Sequence, residues 1–551
     1  MRSFPTIVFL LLVSSMTGVA AETPKPSSAL SFDQTVDRVI ERERGFVATM
    51  KRMHPLAETY IQNLHEDNDH NVEPASDQYF LGRLDLNDGI HDSVFQKQRE
   101  GFRHRLLSPF PAALTNRFLP GGFAQMLMLD PDFQKRNYRF TFVRREFLGE
   151  ARCIVIDVQP GKKARAGLFI GRIWVEDRDY NIVRFNGTYF GHSNYTYDLH
   201  FDSWRFNLQA DMWLPSYIYV EESGTKTNRA LFHNLYLKAQ TRLWGYDPEQ
   251  LNHEEEFTQI KIDNSVDDRP VAKDSAPVEA QRIWERMAED NAVDHLQKIG
   301  VLAPTGEVDK ILQTVVNNLI ITNKLQIEPD VRCRVLLTLP LESFTIGHTI
   351  VVSRGLLDVL PDEASLAMIL AHELSHIALG HHVDTQLAFS DHFFFADTEA
   401  FQHLHFERDA ADEEAADNKA MELLANSPYK DKLANAGLFL KALQNRSPML
   451  TNLIRPHLGS RMANGNTTRM AALFSSTPAL EKQRLDQVAA LPIGSRIKLD
   501  PWSNHLMMMN ANPVALVSPR EKMPFEVTPF FPFLSYSQAD RKLVAQGAVS
   551  P

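Results

Sequence analysis

Cysteine is nearly absent: Cys153 and Cys333 are the two in 551 residues. So few exclude a disulfide framework as the basis of stability, and their spacing excludes a cysteine-built metal site. Two readings stay open for them: free buried thiols, which come first, or one bridge between distant parts of an exported chain. A basic excess is also missing. Lys and Arg total 58 against 69 Asp and Glu, a net charge of −11 with no basic patch, which argues against a nucleic-acid partner. After the first 21 residues no apolar run approaches the about 20 residues that span a bilayer, so no transmembrane segment is expected. No internal repeat is evident. What remains is an ordinary globular composition in a chain too long for one core, hence two or more domains.

Residues 1–21 read as a secretory signal. Arg2 supplies the positive start, Ile7–Val13 the apolar core, and Gly18-Val19-Ala20-Ala21 the small residues for cleavage. No cysteine follows, which argues against a lipid anchor. The mature protein is expected to be soluble and exported, periplasmic or secreted. Residues 22–245 open with an amphipathic helix marked by Phe32, Val36, Val39, Ile40, Val47 and Met50. From Tyr138 to Trp244 the pattern changes to short alternating strands separated by turn signals such as Gln159-Pro160-Gly161. This predicts a helix with a curved antiparallel sheet, or half-barrel. Residues 246–280 are polar and read as a linker. The prolines of Pro529-Phe530-Phe531-Pro532-Phe533 exclude regular helix and central strand, so residues 501–551 read as a strap across a domain.

The chemistry lies in His372-Glu373-Leu374-Ser375-His376. On a helix the histidines stand at i and i+4 on one face, where one metal ion can bridge them, and the glutamate can act as general base. Asp362 is a plausible N-cap for that helix, Leu366, Ile369, Leu370 and Ile377 recur at helical spacing, and Gly380 offers a stop. A catalytic zinc site needs a third protein ligand. Glu413 is the first candidate, with Glu407, Asp412 and Glu414 as replacements. Asp417 shares a helical face with Glu413 and can accept the second N–H of a ligand histidine. Ala410, Ala416 and Ala420 are small enough to bring the two helices close.

H-E-x-x-H followed by Glu413-x-x-Ala416-Asp417-x-x-Ala420 resembles the zinc metallopeptidases that include HtpX and the CAAX prenyl proteases, gluzincins with two His and one Glu on zinc. Phe344–Leu357 is similar to that family's strand preceding the zinc helix, and His381 matches a histidine often found five residues after the second ligand. The resemblance covers roughly residues 280–500. It implies that Ile350, Val351, Val352 and Ser353 bind substrate as an added strand. The chain departs from the pattern at Glu342, where the family has Asn, and at Ser476-Thr477-Pro478-Ala479, where it has a His-containing element. Arg484 and His457 are then the candidates for stabilising the transition state. A fainter resemblance, carried by Gly171–Phe185, links the N-terminal half to the LolA-type lipoprotein-carrier fold and implies a lipid or lipoprotein contact there.

The sequence therefore predicts an α+β protein: an N-terminal curved sheet with a helix, then a mainly α zincin-type peptidase domain over 281–500 with a small sheet. The expected activity is that of an exported Zn²⁺-dependent endopeptidase acting on protein or peptide substrates, with a role in envelope protein quality control implied by the resemblance. The alternatives are a lipid-binding carrier-like protein or an inactive peptidase serving as a chaperone. An intact Glu373 argues against both, since neither needs a general base.

Overall fold

The computed structural model describes residues 31–66, 72–84, 126–129, 133–162, 168–189, 199–209, 211–222, 235–246, 277–381, 410–454, 473, 477–480, 497–499, 505–508 and 525–537. The signal reading at 1–21 and most of the linker reading lie outside them. So do Glu407, His457 and Arg484. No helix among the described residues is long and apolar enough to cross a membrane.

Helix α1 (Phe32–Met50) starts at a capping box: Ser31 accepts from the Gln34 backbone while the Gln34 side chain accepts from the Ser31 N–H. Nine antiparallel strands follow: β1 (Leu56–Glu66), β2 (Val72–Arg83), β3 (Tyr138–Leu148), β4 (Ala151–Pro160), β5 (Phe169–Glu176), β6 (Ile182–Tyr189), β7 (Leu199–Gln209), β8 (Met212–Glu222) and β9 (Leu235–Trp244). They form one open sheet in the order β2-β1-β9-β8-β7-β6-β5-β4-β3, a half-barrel that does not close. The alternating pattern read from Tyr138 onward covers β3 to β9. The hairpin β1–β2 joins the far end of that meander by pairing β1 with β9, Leu56 opposite Trp244.

Both faces of the sheet are buried, and the side-chain period of two sorts them. On β4, Ile154, Ile156 and Val158 join α1 residues Val39 and Met50 under one face. Cys153 and Val155 point the other way, into a face rich in Trp and Tyr. Both cysteines are free and buried.

The C-terminal part contains α2 (Pro277–Lys298), which begins within the segment read as linker, α3 (Glu307–Asn323), α4 (Arg354–Val359), α5 (Glu363–Leu379), α6 (Ala410–Ala425) and α7 (Leu433–Arg446). Beside them lies a three-stranded sheet of β10 (Arg332–Leu336), β11 (Ser343–Ile346) and β12 (Thr349–Ser353). Its order is β10-β12-β11, and a short hairpin of β13 (Ile497–Leu499) and β14 (Leu506–Met508) lies apart from it.

The aromatic face of the large sheet packs on this C-terminal part, and the two share one hydrophobic cluster that includes Tyr60, Trp204, Trp213, Leu339 and Val352. Buried polar ties cross the contact. Glu58 accepts from Leu339 N at 2.5 Å and pairs with Arg354 at 3.2 Å. Asp77 accepts from the backbone N–H groups of Asn452 and Leu453, at 3.0 and 2.7 Å. Residues 525–537 then run across the aromatic face in irregular backbone. Phe530 meets Tyr217, Phe531 meets Trp204 and Tyr536 meets Trp213. Glu150 N donates to Leu534 O at 2.7 Å. That approach needs a glycine: at Gly149, whose φ is +67°, a Cβ would lie 2.2 Å from Leu534 O.

Candidate metal centre

Helix α5 is buried on nearly every side, from Ala364 through His376. Asp362 caps it by accepting from Ser365 N at 2.9 Å, and Gly380 ends it with a φ of 69°. Polar groups inside such a helix are costly unless they are partnered. The helical spacing turns His372 and His376 toward one neighbour, α6. There Ala416 and Ala420, both fully buried, let the helices approach closely, whereas Ala410 is exposed.

Three buried side chains, His372, His376 and Glu413, bring one donor atom each to within 4.8 Å of one another. The two Nε2 atoms are 3.0 Å apart, and Glu413 oxygens lie 3.5 Å from that of His372 and 3.6 Å from that of His376. Ligands about 2.1 Å from a tetrahedral zinc are separated by about 3.4 Å, so the donor set is near that geometry, with the two imidazole nitrogens somewhat closer than the ion requires. Glu413 thus joins the histidines, as the spacing of the second motif implies.

The atoms behind the cluster set the histidine tautomers. Asp417 Oδ1 lies 2.7 Å from His372 Nδ1, which places the proton on Nδ1 and turns the Nε2 lone pair to the cluster. His376 Nδ1 lies 3.0 Å from His381 Nδ1; if the His376 Nε2 lone pair faces the cluster, His376 donates and His381 accepts. The remaining His381 proton, on Nε2, faces Asp412 Oδ1 at 3.6 Å. The acid Asp412 therefore stands behind a histidine and not among the ligands.

Glu373 is one per cent exposed and reaches the small sheet. There the Ser343 hydroxyl donates to its Oε1 at 2.7 Å. No spacing in the sequence announces Ser343; only β11 brings it to the glutamate.

Ile350, Val351, Val352 and Ser353 occupy the central strand of the small sheet. Thr349–Ser353 pair with Arg332–Leu336 on one side, and Thr349–Val352 with Ser343–Ile346 on the other. Both edges of β12 are used, so a substrate strand cannot be added to it. The Ser353 hydroxyl instead accepts from Leu356 N and from Glu342 N, both at 3.1 Å, capping α4 and closing the turn into β11.

A histidine pair on one helix and a carboxylate from a second, with the buried Glu373 next to the first histidine in sequence, form a donor set that could hold a metal ion. Residues 309–490 match the family model described as Peptidase family M48, and that span contains every residue of the centre. The match supports a peptidase. No curated protein gives a significant match. Among solved structures, a DUF1329 family protein from Desulfovibrio piger is similar at 10% identity over 38% of this chain and 92% of its own, with a TM-score of 0.19. The MucA/MucB complex of Pseudomonas aeruginosa is similar at 8% identity over 38% of this chain and 93% of the matched chain, with a TM-score of 0.13. Likenesses this slight carry no inference.

Proposed function

We propose that the protein is a zinc-dependent endopeptidase. The observation that carries the reading is the convergence of His372, His376 and Glu413 on one buried point, with the buried Glu373 next in sequence to the first of them. Zinc held there supplies Lewis-acid polarisation of a carbonyl and acidifies a water molecule. Glu373 takes the proton of the attacking water on its carboxylate and delivers it to the leaving amine. Asp417 and His381 keep the two imidazoles in the tautomer that turns Nε2 to the centre. Substrates are proteins or peptides.

The leader-like residues 1–21 support export to a periplasm or to the medium. A role in envelope quality control follows from the likeness of the motifs to HtpX-type peptidases. Lipid or lipoprotein contact through the N-terminal sheet is the less supported part, because α1 and a packed apolar cluster already fill one face and the C-terminal part covers the other.

The test is hydrolysis of casein by the purified protein with and without a chelator, on the wild type and on Glu373→Ala. Chelator-sensitive cleavage that disappears in the variant is expected. Cleavage that survives both treatments would refute the reading.

A further inference from the structure

We infer that Ser343 is a positioning residue for the general base Glu373, held in place by two acids of the N-terminal sheet. The inference rests on the peptidase reading above and adds a group that it does not require.

A general base in a metallopeptidase must keep one carboxylate oxygen aimed at the attacking water while the ground-state side chain is free to rotate about several bonds. In this protein Oε1 of Glu373 accepts from the Ser343 hydroxyl at 2.7 Å, and both side chains are one per cent exposed. A hydrogen bond to an ionised acceptor is among the stronger kinds, and burial strengthens it further. It holds one oxygen of the carboxylate in place and so restricts the rotation of the group. The donor itself is anchored. Ser343 pairs with Val352 at the start of β11. Two residues earlier, Leu341 N donates to Leu453 O at 2.6 Å, and Leu453 N donates to Asp77 of β2 at 2.7 Å. Two residues before that, Leu339 N donates to Glu58 of β1 at 2.5 Å. The same carboxylate meets Arg354, whose Nε donates to Leu337 O at 3.0 Å. The segment 337–343 is thus pinned along its length, and its outer anchors belong to the large sheet. The N-terminal sheet is in this way part of the apparatus that aims the base.

The test uses the full-length zinc-loaded protein and a peptide hydroxamate, a probe that seats on the metal and offers a proton to the base, so that its affinity reads the aim of Glu373 without turnover. Zinc content and hydroxamate affinity are measured for the wild type, Ser343→Ala, Ser343→Thr, Glu373→Gln and the double variant Ser343→Ala/Glu373→Gln. Ser343→Ala is expected to keep its zinc and to bind the probe about tenfold more weakly, the size of effect seen when a supporting partner is lost. Ser343→Thr, which retains the hydroxyl, restores affinity. In the Glu373→Gln background the serine change has little further effect, because two groups that act through one contact are not additive. On casein, Ser343→Ala lowers kcat and leaves KM unchanged. Equal losses in both backgrounds, or no loss with Glu373 intact, overturn the inference and leave the peptidase reading standing. A zinc-loaded wild type that binds no hydroxamate and cleaves nothing overturns both.

Discussion

Asp417 illustrates how a side chain that need not touch the metal can govern it. Its carboxylate holds His372 in one tautomer at 2.7 Å, so its removal leaves the imidazole free to rotate and to exchange protons between its nitrogens. Asp417→Ala should lower zinc affinity or casein turnover by roughly 10- to 100-fold, more than a surface acid and less than a ligand. Equilibrium dialysis against zinc measures the first and an initial-rate assay the second; wild-type values in both would contradict the assigned geometry. The cysteines give a prediction of another kind. Burial, reinforced for Cys153 by Glu176 and for Cys333 by Asp309, pushes each thiol up to about 12. The thiolate is the reactive form, so native protein at pH 8 should not react with a thiol reagent, whereas the denatured chain should titrate both. At this scale the three-residue cluster was legible. The i, i+4 spacings of His372 with His376 and of Glu413 with Asp417 are local facts that survive any fold containing the two helices. Ser343 was not legible, because its partner is 30 residues away and the contact exists only once β11 is laid against α5.

Among elements, α1 depends on one buried ion pair. Glu43, three per cent exposed, receives both terminal nitrogens of Arg205 at 2.7 and 2.8 Å and also accepts from Leu129 N. Glu43→Ala would strand a guanidinium that is one per cent exposed, a loss of about 3–5 kcal/mol. Chemical denaturation should show a fall of that size. A change below about 1 kcal/mol would mean that the pair does not hold the helix to the sheet. The helix itself was readable from its apolar spacing; its Ser31–Gln34 capping box came only with the structure. The role of β12 was not. Ile350, Val351 and Val352 are β-branched and read as strand on their own, but nothing local tells a central strand from an edge. That distinction is set by β10 and β11, which occupy both edges of β12 and leave no edge on it for an added strand.

At the scale of the whole molecule, the sheet and the peptidase part share a core that neither periodicity nor motif reveals. The Trp and Tyr residues of the sheet say that a second face is buried; they do not say by what. Pairing of Leu56 with Trp244 lies equally beyond a local reading. The strap over that face can be probed at one atom. Gly149→Ala would place a methyl group 2.2 Å from Leu534 O at a φ of +67°, so it should lower the melting temperature and raise protease sensitivity near residues 525–537. Unchanged cleavage there would show that the strap does not depend on this contact. The central claim is that three side chains from two helices hold one zinc while Glu373 stands beside it and does not bind it. Zinc per chain, measured by atomic emission on the wild type, Glu413→Ala and Glu373→Gln, tests it most directly. One zinc is expected in the wild type and in Glu373→Gln, and little in Glu413→Ala. A full equivalent in Glu413→Ala, or loss of zinc in a folded Glu373→Gln, would contradict it.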